Sequence, residues 1–140
     1  GGAAEAAMRF LVSHVDTPPE DLLASSPTPP SFPGFGTHFG GMDPLAARLA
    51  AHLAALPGAG HHLAWGMRLA AALAPAGAGW LMPGVAAAAL CDLGFQPHAG
   101  AGLYQLFAAP GLFAHGLEMA GQPLTAMPFL EAERYVIERD

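Results

Sequence analysis

Alanine and leucine recur at helical spacing through most of this chain, and proline–glycine breaks cut the pattern into segments. Leu45, Leu49, Leu53 and Leu56 form one such stripe between Pro44 and the Pro57-Gly58 break. No run of alternating β-branched and aromatic residues precedes "ERYVIE" near the end, so the pattern dictates an all-α fold. The spacing predicts helices near 3–14, 44–56, 61–75, 84–93 and 102–119, with Pro110-Gly111 placed to kink or split the last. The alanine-rich faces of 45–56 and 84–93 are expected to be buried at short interhelical distance.

Start signals sharpen the boundaries. Asp43 followed by Pro44 reads as an N-cap and first helical residue. In "DTPPEDLLA", Thr17 as cap and Glu20 three residues on make a capping box, with Pro18 at the first helical position. The proline-rich "SSPTPPSFPGFG" that follows lacks periodicity and reads as a connector.

A length of 140 residues suits one domain with a real core, and 53% hydrophobic against 11% charged residues excludes a disordered chain. Five arginines, no lysine and a net charge of −6 leave no basic footprint, which argues against a nucleic-acid partner or an anionic membrane surface. The uncharged stretch Leu69–Cys91 is long enough to span a bilayer, but Pro75, Gly77, Gly79, Pro83 and Gly84 break it, so no membrane span is expected. Cys91 is the only cysteine, which excludes an internal disulfide and suits a reducing compartment, the cytoplasm. Its apolar surroundings mark it as a small buried hydrophobe. No CxxC, HExxH or phosphate-binding loop occurs, and neither metal nor resident cofactor is expected.

The candidate site is "PGFGTHFGGMDPLA". Gly34, Gly36, Gly40 and Gly41 let a ligand approach the main chain, and the loop leads straight into the N-terminus of the Pro44 helix. Backbone N–H groups there would favour a carboxylate or phosphate on the side of Thr37 and His38.

Several stretches, in order, resemble the citrate synthase family. "GGAAEAAMRFL" is similar to the family's helix in "HGGANEAV", and "PGFGTHFGGMDPLA" to its "PGFGH" loop and "DPRA" helix start. "AAAALCDLGF" falls where the family has the helix after "NVD"; "LFAAPGLFAHGLEMA" resembles "LGRTAGWIAHALEQ", and "ERYVIE" the closing Arg-Tyr-Val segment. The resemblance implies a small helical domain over 1–120 and a tail over 121–140 returning to a large domain this chain does not contain. It also implies a homodimer with exposed apolar contact surface, on the leucine of the first helix (Leu11) and on the tail beyond Met127.

The implied chemistry is Claisen-type condensation or cleavage between acetyl-CoA and a 2-oxo dicarboxylate, with the coenzyme A thioester as substrate. His38 would then be the catalytic histidine, and Gly34, Phe35, Gly36, Thr37 and Arg48 would bind substrate or coenzyme A. The sequence departs from the family at several positions. Thr37 stands directly after "PGFG", where the family has its histidine, and the first family histidine would precede Gly1. The family's aspartate falls near Pro83 or Gly84, and its arginines fall at Leu45, Ala108 and near Leu130 or Ala132, with Arg134 a poor substitute for the last. A non-catalytic binding or regulatory subunit that has lost the acid and the arginines therefore stands beside the enzyme reading.

The remaining polar residues read as structural. Asp92 is expected as a solvent contact at a helix C-terminus, His98 as a turn residue and His115 as a packing position. His14 and His52 are single helix histidines. His61 and His62, being adjacent, point to different faces, which argues against a shared metal site. Trp65 and Trp80 are expected in the core.

Overall fold

The computed structural model describes residues 2–106 and 116–121. The elements are α1 (Gly2–His14), α2 (Pro19–Ala24), β1 (Phe35–Gly36), α3 (Pro44–Ala54), α4 (His61–Leu73), β2 (Gly79–Trp80), α5 (Met82–Asp92) and α6 (Gly100–Leu106). Short 3₁₀ turns at Ala74–Ala76 and Pro97–Ala99 precede β2 and α6, the latter holding His98, and 116–120 is helical again. The helices expected near 3–14, 44–56, 61–75 and 84–93 are present, those near 44–56 and 61–75 ending two residues early, and the two described ends of the fifth, near 102–119, are helical. The middle of the fifth lies outside the described residues, as do His115, Ala108 and the whole segment 122–140.

Helix α5 sits at the centre. Every residue from Gly84 to Cys91 is buried, the signature of a helix apolar on all sides. It packs against α1, whose buried residues are Ala4, Ala7, Met8, Phe10 and Leu11, and against α4, whose buried residues include Leu63, Leu69 and Leu73. The buried face of α3, formed by Ala46, Ala50 and Leu53, closes the same core. Small side chains at these contacts let the helix axes approach. Cys91 is buried, and burial first, then the neighbouring Asp92 charge, pushes its thiol up to about 12.

Three expectations need correction. Leu11 is fully buried as part of the hydrophobic core; the large apolar residue that α1 exposes is Val12. Thr17 does not cap α2: Pro18 occupies the cap without a side-chain bond, and its carbonyl takes the Asp21 N–H at 3.0 Å. The Pro18-Pro19 pair shifts the first turn one residue along, since each ring fixes φ and removes a donor. The third concerns Asp92, which is part of the core's wiring and is taken up below.

A short antiparallel ladder pairs Phe35 with Trp80 and Gly36 with Gly79. Periodicity could not reveal it, because two residues per strand carry no alternation. Its effect is to tie the glycine loop to the segment just ahead of α5.

Candidate functional site

The glycine loop has a fixed base and an exposed tip. At the base, Phe32 and Phe35 exchange backbone hydrogen bonds of 3.0 and 2.9 Å across Pro33-Gly34. Proline supplies the fixed φ and Gly34 the positive φ of +85° that so tight a turn requires. Phe35 is fully buried with its ring centroid 4.7 Å from Trp80, and Phe10 stacks on Phe32 at 5.5 Å. This cluster fastens Gly34–Gly36 to the core.

Gly34 also meets the start of α5. Its carbonyl accepts the Leu81 N–H at 3.0 Å, and a Cβ placed on Gly84 would lie 2.0 Å from the Gly34 oxygen. Loop and helix touch backbone to backbone, so no side chain fits at Gly84. Pro83 fills the first turn of α5, and Leu81, its N-cap, offers no side-chain bond. No carboxylate is carried by the residues from Leu81 to Val85.

Beyond the base, Thr37, His38 and Phe39 are exposed. His38 and Gly41 exchange backbone hydrogen bonds of 2.6 and 3.2 Å around Phe39-Gly40. Positive φ at both central residues, +52° and +81°, is the geometry of a type I′ turn. Phe39 holds this left-handed conformation with 97% of its surface exposed, and its ring meets the His38 imidazole edge-on at 4.3 Å. The N–H groups of Phe35, His38 and Gly41 are thus committed inside the loop, which narrows the cradle expected from the glycine content. The N-terminus of α3 is closed as expected: Asp43 Oδ1 accepts from the Leu45 and Ala46 N–H groups at 3.0 and 3.2 Å.

Behind the loop lies a cavity of about 230 Å³ bordered by Met42, Ala47, Met67 and Trp80. The indole Nε1 of Trp80 is buried and has no hydrogen-bond partner among the described residues. Arg48 is exposed on α3 and makes no ion pair among the described residues. The structure therefore joins Gly34 to the start of α5 and Phe35 and Gly36 to β2, and leaves Thr37, His38 and Arg48 exposed.

Asp92 is not the solvent contact its helix-end position suggested. Its side chain is 1% exposed. Oδ2 accepts from the N–H groups of Gly60 and Leu63 at 2.8 and 3.1 Å; Oδ1 accepts from the His62 N–H and lies 2.9 Å from His62 Nδ1. Burial alone would raise this carboxyl, but the His62 side chain and the three backbone donors outweigh it and hold the group below its ordinary value. The N-cap of α4 is Gly60, which has no side chain to offer, so Asp92 caps that helix from the far end of α5. Two signals in the sequence pointed here: a helix start lacking a capping side chain, and one acid in an otherwise apolar run. At 1.5 Å per residue, Asp92 is about 12 Å along α5 from Gly84, away from the loop.

His61 and His62 open α4, and no group of three metal-binding side chains gathers among the described residues. Trp65 and Trp80 are buried as expected, Trp65 Nε1 donating to the Thr17 carbonyl at 2.7 Å. Among the described residues no helix is long and apolar enough to cross a membrane.

No protein-family description matches the chain, and no curated protein sequence matches it. Among solved structures it is similar to citryl-CoA lyase from Hydrogenobacter thermophilus, at 25% identity and a TM-score of 0.61 over 91% of this chain. The match covers 53% of that chain, so this sequence spans about half the length of the protein it resembles. The fold is all-α and citrate synthase-like.

Proposed function

We propose that this chain supplies the small-domain part of an acyl-CoA site of the citrate synthase or citryl-CoA lyase type. The observation that carries the reading is the Gly34–His38 loop, anchored on the start of α5 and open to solvent at its tip, in a fold like that of a citryl-CoA lyase. In this role the loop receives the thioester, and the exposed His38 donates a hydrogen bond where charge develops on a carbonyl oxygen. Cleavage of citryl-CoA would remove the proton of the tertiary hydroxyl, break the adjacent C–C bond, and deliver acetyl-CoA and oxaloacetate after protonation of the enolate carbon. Condensation runs the same steps backward to citryl-CoA, whose thioester water then cleaves to citrate and the free coenzyme A thiol. The acid–base carboxylate and the arginines for the dicarboxylate would come from a further domain or a partner chain, in keeping with a dimer.

A second reading, a subunit that binds acyl-CoA or dicarboxylate without turnover, is favoured by one observation. Gly84 excludes a side chain and Pro83 occupies the neighbouring position, so the start of α5 carries no acid. A thiol-release assay with acetyl-CoA and oxaloacetate, run beside citryl-CoA cleavage, separates the two. The enzyme reading predicts turnover that falls at least tenfold, ~1.4 kcal/mol, in His38→Ala. Thioester binding without turnover by the protein supports the second reading, and neither binding nor turnover contradicts both.

A further inference from the structure

We propose that the cavity between the end of α1 and the first turns of α4 is a second binding site. Its ligand would be a small monocarboxylate with a hydrogen-bond donor beside the carboxylate and a short apolar tail, an α-amino or α-hydroxy acid. The cavity holds about 330 Å³, within the range of small-molecule sites. None of its lining residues belongs to the glycine loop, so the inference does not rest on the acyl-CoA reading.

The walls follow from helical spacing. His61, Ala64, Trp65 and Arg68 recur at i, i+3, i+4 and i+7, which brings them to one face of α4; Val15 and Asp16 stand opposite, just past α1. Two of the lining rings are held from outside the cavity. Asp92 fixes His62 through Nδ1 at 2.9 Å, and the Thr17 carbonyl fixes the Trp65 indole at 2.7 Å. Rings already held in place lose little freedom when a ligand arrives. With Nδ1 engaged, Nε2 is the imidazole nitrogen left for a ligand.

The chemistry of the lining selects the ligand. Arg68 is 59% exposed and only 4.0 Å from Glu20, a weak contact that leaves its fork available to a carboxylate. Val15, Ala64 and Trp65 offer apolar surface to a short tail. Asp16 disfavours a second carboxylate and suits an ammonium or hydroxyl donor. The backbone N–H groups of Gly60, His62 and Leu63 are already taken by Asp92, so side chains and not the helix end make this an acid-binding site.

The test is calorimetry on the whole chain with leucine, 2-hydroxyisocaproate, isocaproate, succinate and inorganic phosphate, with amide and indole NMR shifts locating the site. Leucine or 2-hydroxyisocaproate should bind at least tenfold more tightly than the other three and shift Trp65 and His62. Arg68→Gln should weaken that binding at least tenfold with an unchanged melting temperature, while His38→Ala leaves it intact. The proposal is overturned if neither acid binds, if succinate, phosphate or isocaproate binds equally well, if the shifts fall on the glycine loop, or if Arg68→Gln has no effect.

Discussion

Replacing Asp92 with alanine removes one carboxylate and strands four donors: the N–H groups of Gly60, His62 and Leu63, and the His62 ring. Loss of a helix cap alone costs about 0.5–2 kcal/mol. Hydrogen bonds to a charged acceptor contribute about 1.5–3 kcal/mol each, although they do not add. Breaking a buried charged network from one side costs about 3–5 kcal/mol. With the side chain 1% exposed and all four donors close to it, Asp92→Ala should lose about 3–4 kcal/mol. That is a large share of the ~5–15 kcal/mol that holds a domain folded. Asp92→Asn keeps one oxygen and should lose about half as much. Urea denaturation followed by circular dichroism measures both. The sign with pH is fixed by the lowered carboxyl: its stabilisation is complete above the ordinary carboxylate range, ~3.9 in an unfolded chain, and is lost as pH falls through the depressed native value. The gap between parent and Asp92→Asn should therefore close in acid. A loss below ~1 kcal/mol for Asp92→Ala, less than one charged hydrogen bond, would refute the capping role.

Two further substitutions probe the loop. Gly84→Ala places a Cβ 2.0 Å from the Gly34 oxygen, so backbone must move; a destabilisation of about 2–4 kcal/mol is expected in thermal or urea unfolding, and a neutral result would show that the loop does not rest on α5. Phe39→Asn puts an Asn-Gly pair in a turn whose first central residue has a φ of +52°. It should stabilise the chain by roughly 0.5–1 kcal/mol, because asparagine tolerates that region and the lost ring is exposed; a drop in stability would mean that the Phe39 ring has a packing role.

What was legible in the sequence followed the length over which each signal repeats. The leucine spacing of α3 and the apolar run of α5 extend over three turns, and both segments are helical as expected. The leucine stripe is not the buried face, however: α3 buries Ala46, Ala50 and Leu53 and leaves Leu45 exposed. Asp43-Pro44 also kept its role, since a cap and its helix are neighbours in the chain. Thr17 failed as a cap because a second proline moved the first turn, a local conflict that the capping pattern does not weigh. Asp92 was misread because its partners lie about thirty residues away, and helix ends look solvated until tertiary packing is known. The β1–β2 ladder was invisible for the same reason, being two residues paired across most of the chain's middle. For the candidate site, the glycine loop could be located but not its division into a buried base and an exposed tip. That division depends on Phe10 and Trp80, which arrive from other elements.

The central claim is that the Gly34–His38 loop is where an acyl-CoA or dicarboxylate ligand meets this chain, and residue-resolved NMR titration with acetyl-CoA and with oxaloacetate tests it most directly. The account predicts shifts concentrated on Gly34 to His38 and on the paired Gly79 and Trp80, reduced at least tenfold in apparent affinity by His38→Ala. Shifts confined to other surfaces, or none at millimolar ligand, would contradict it.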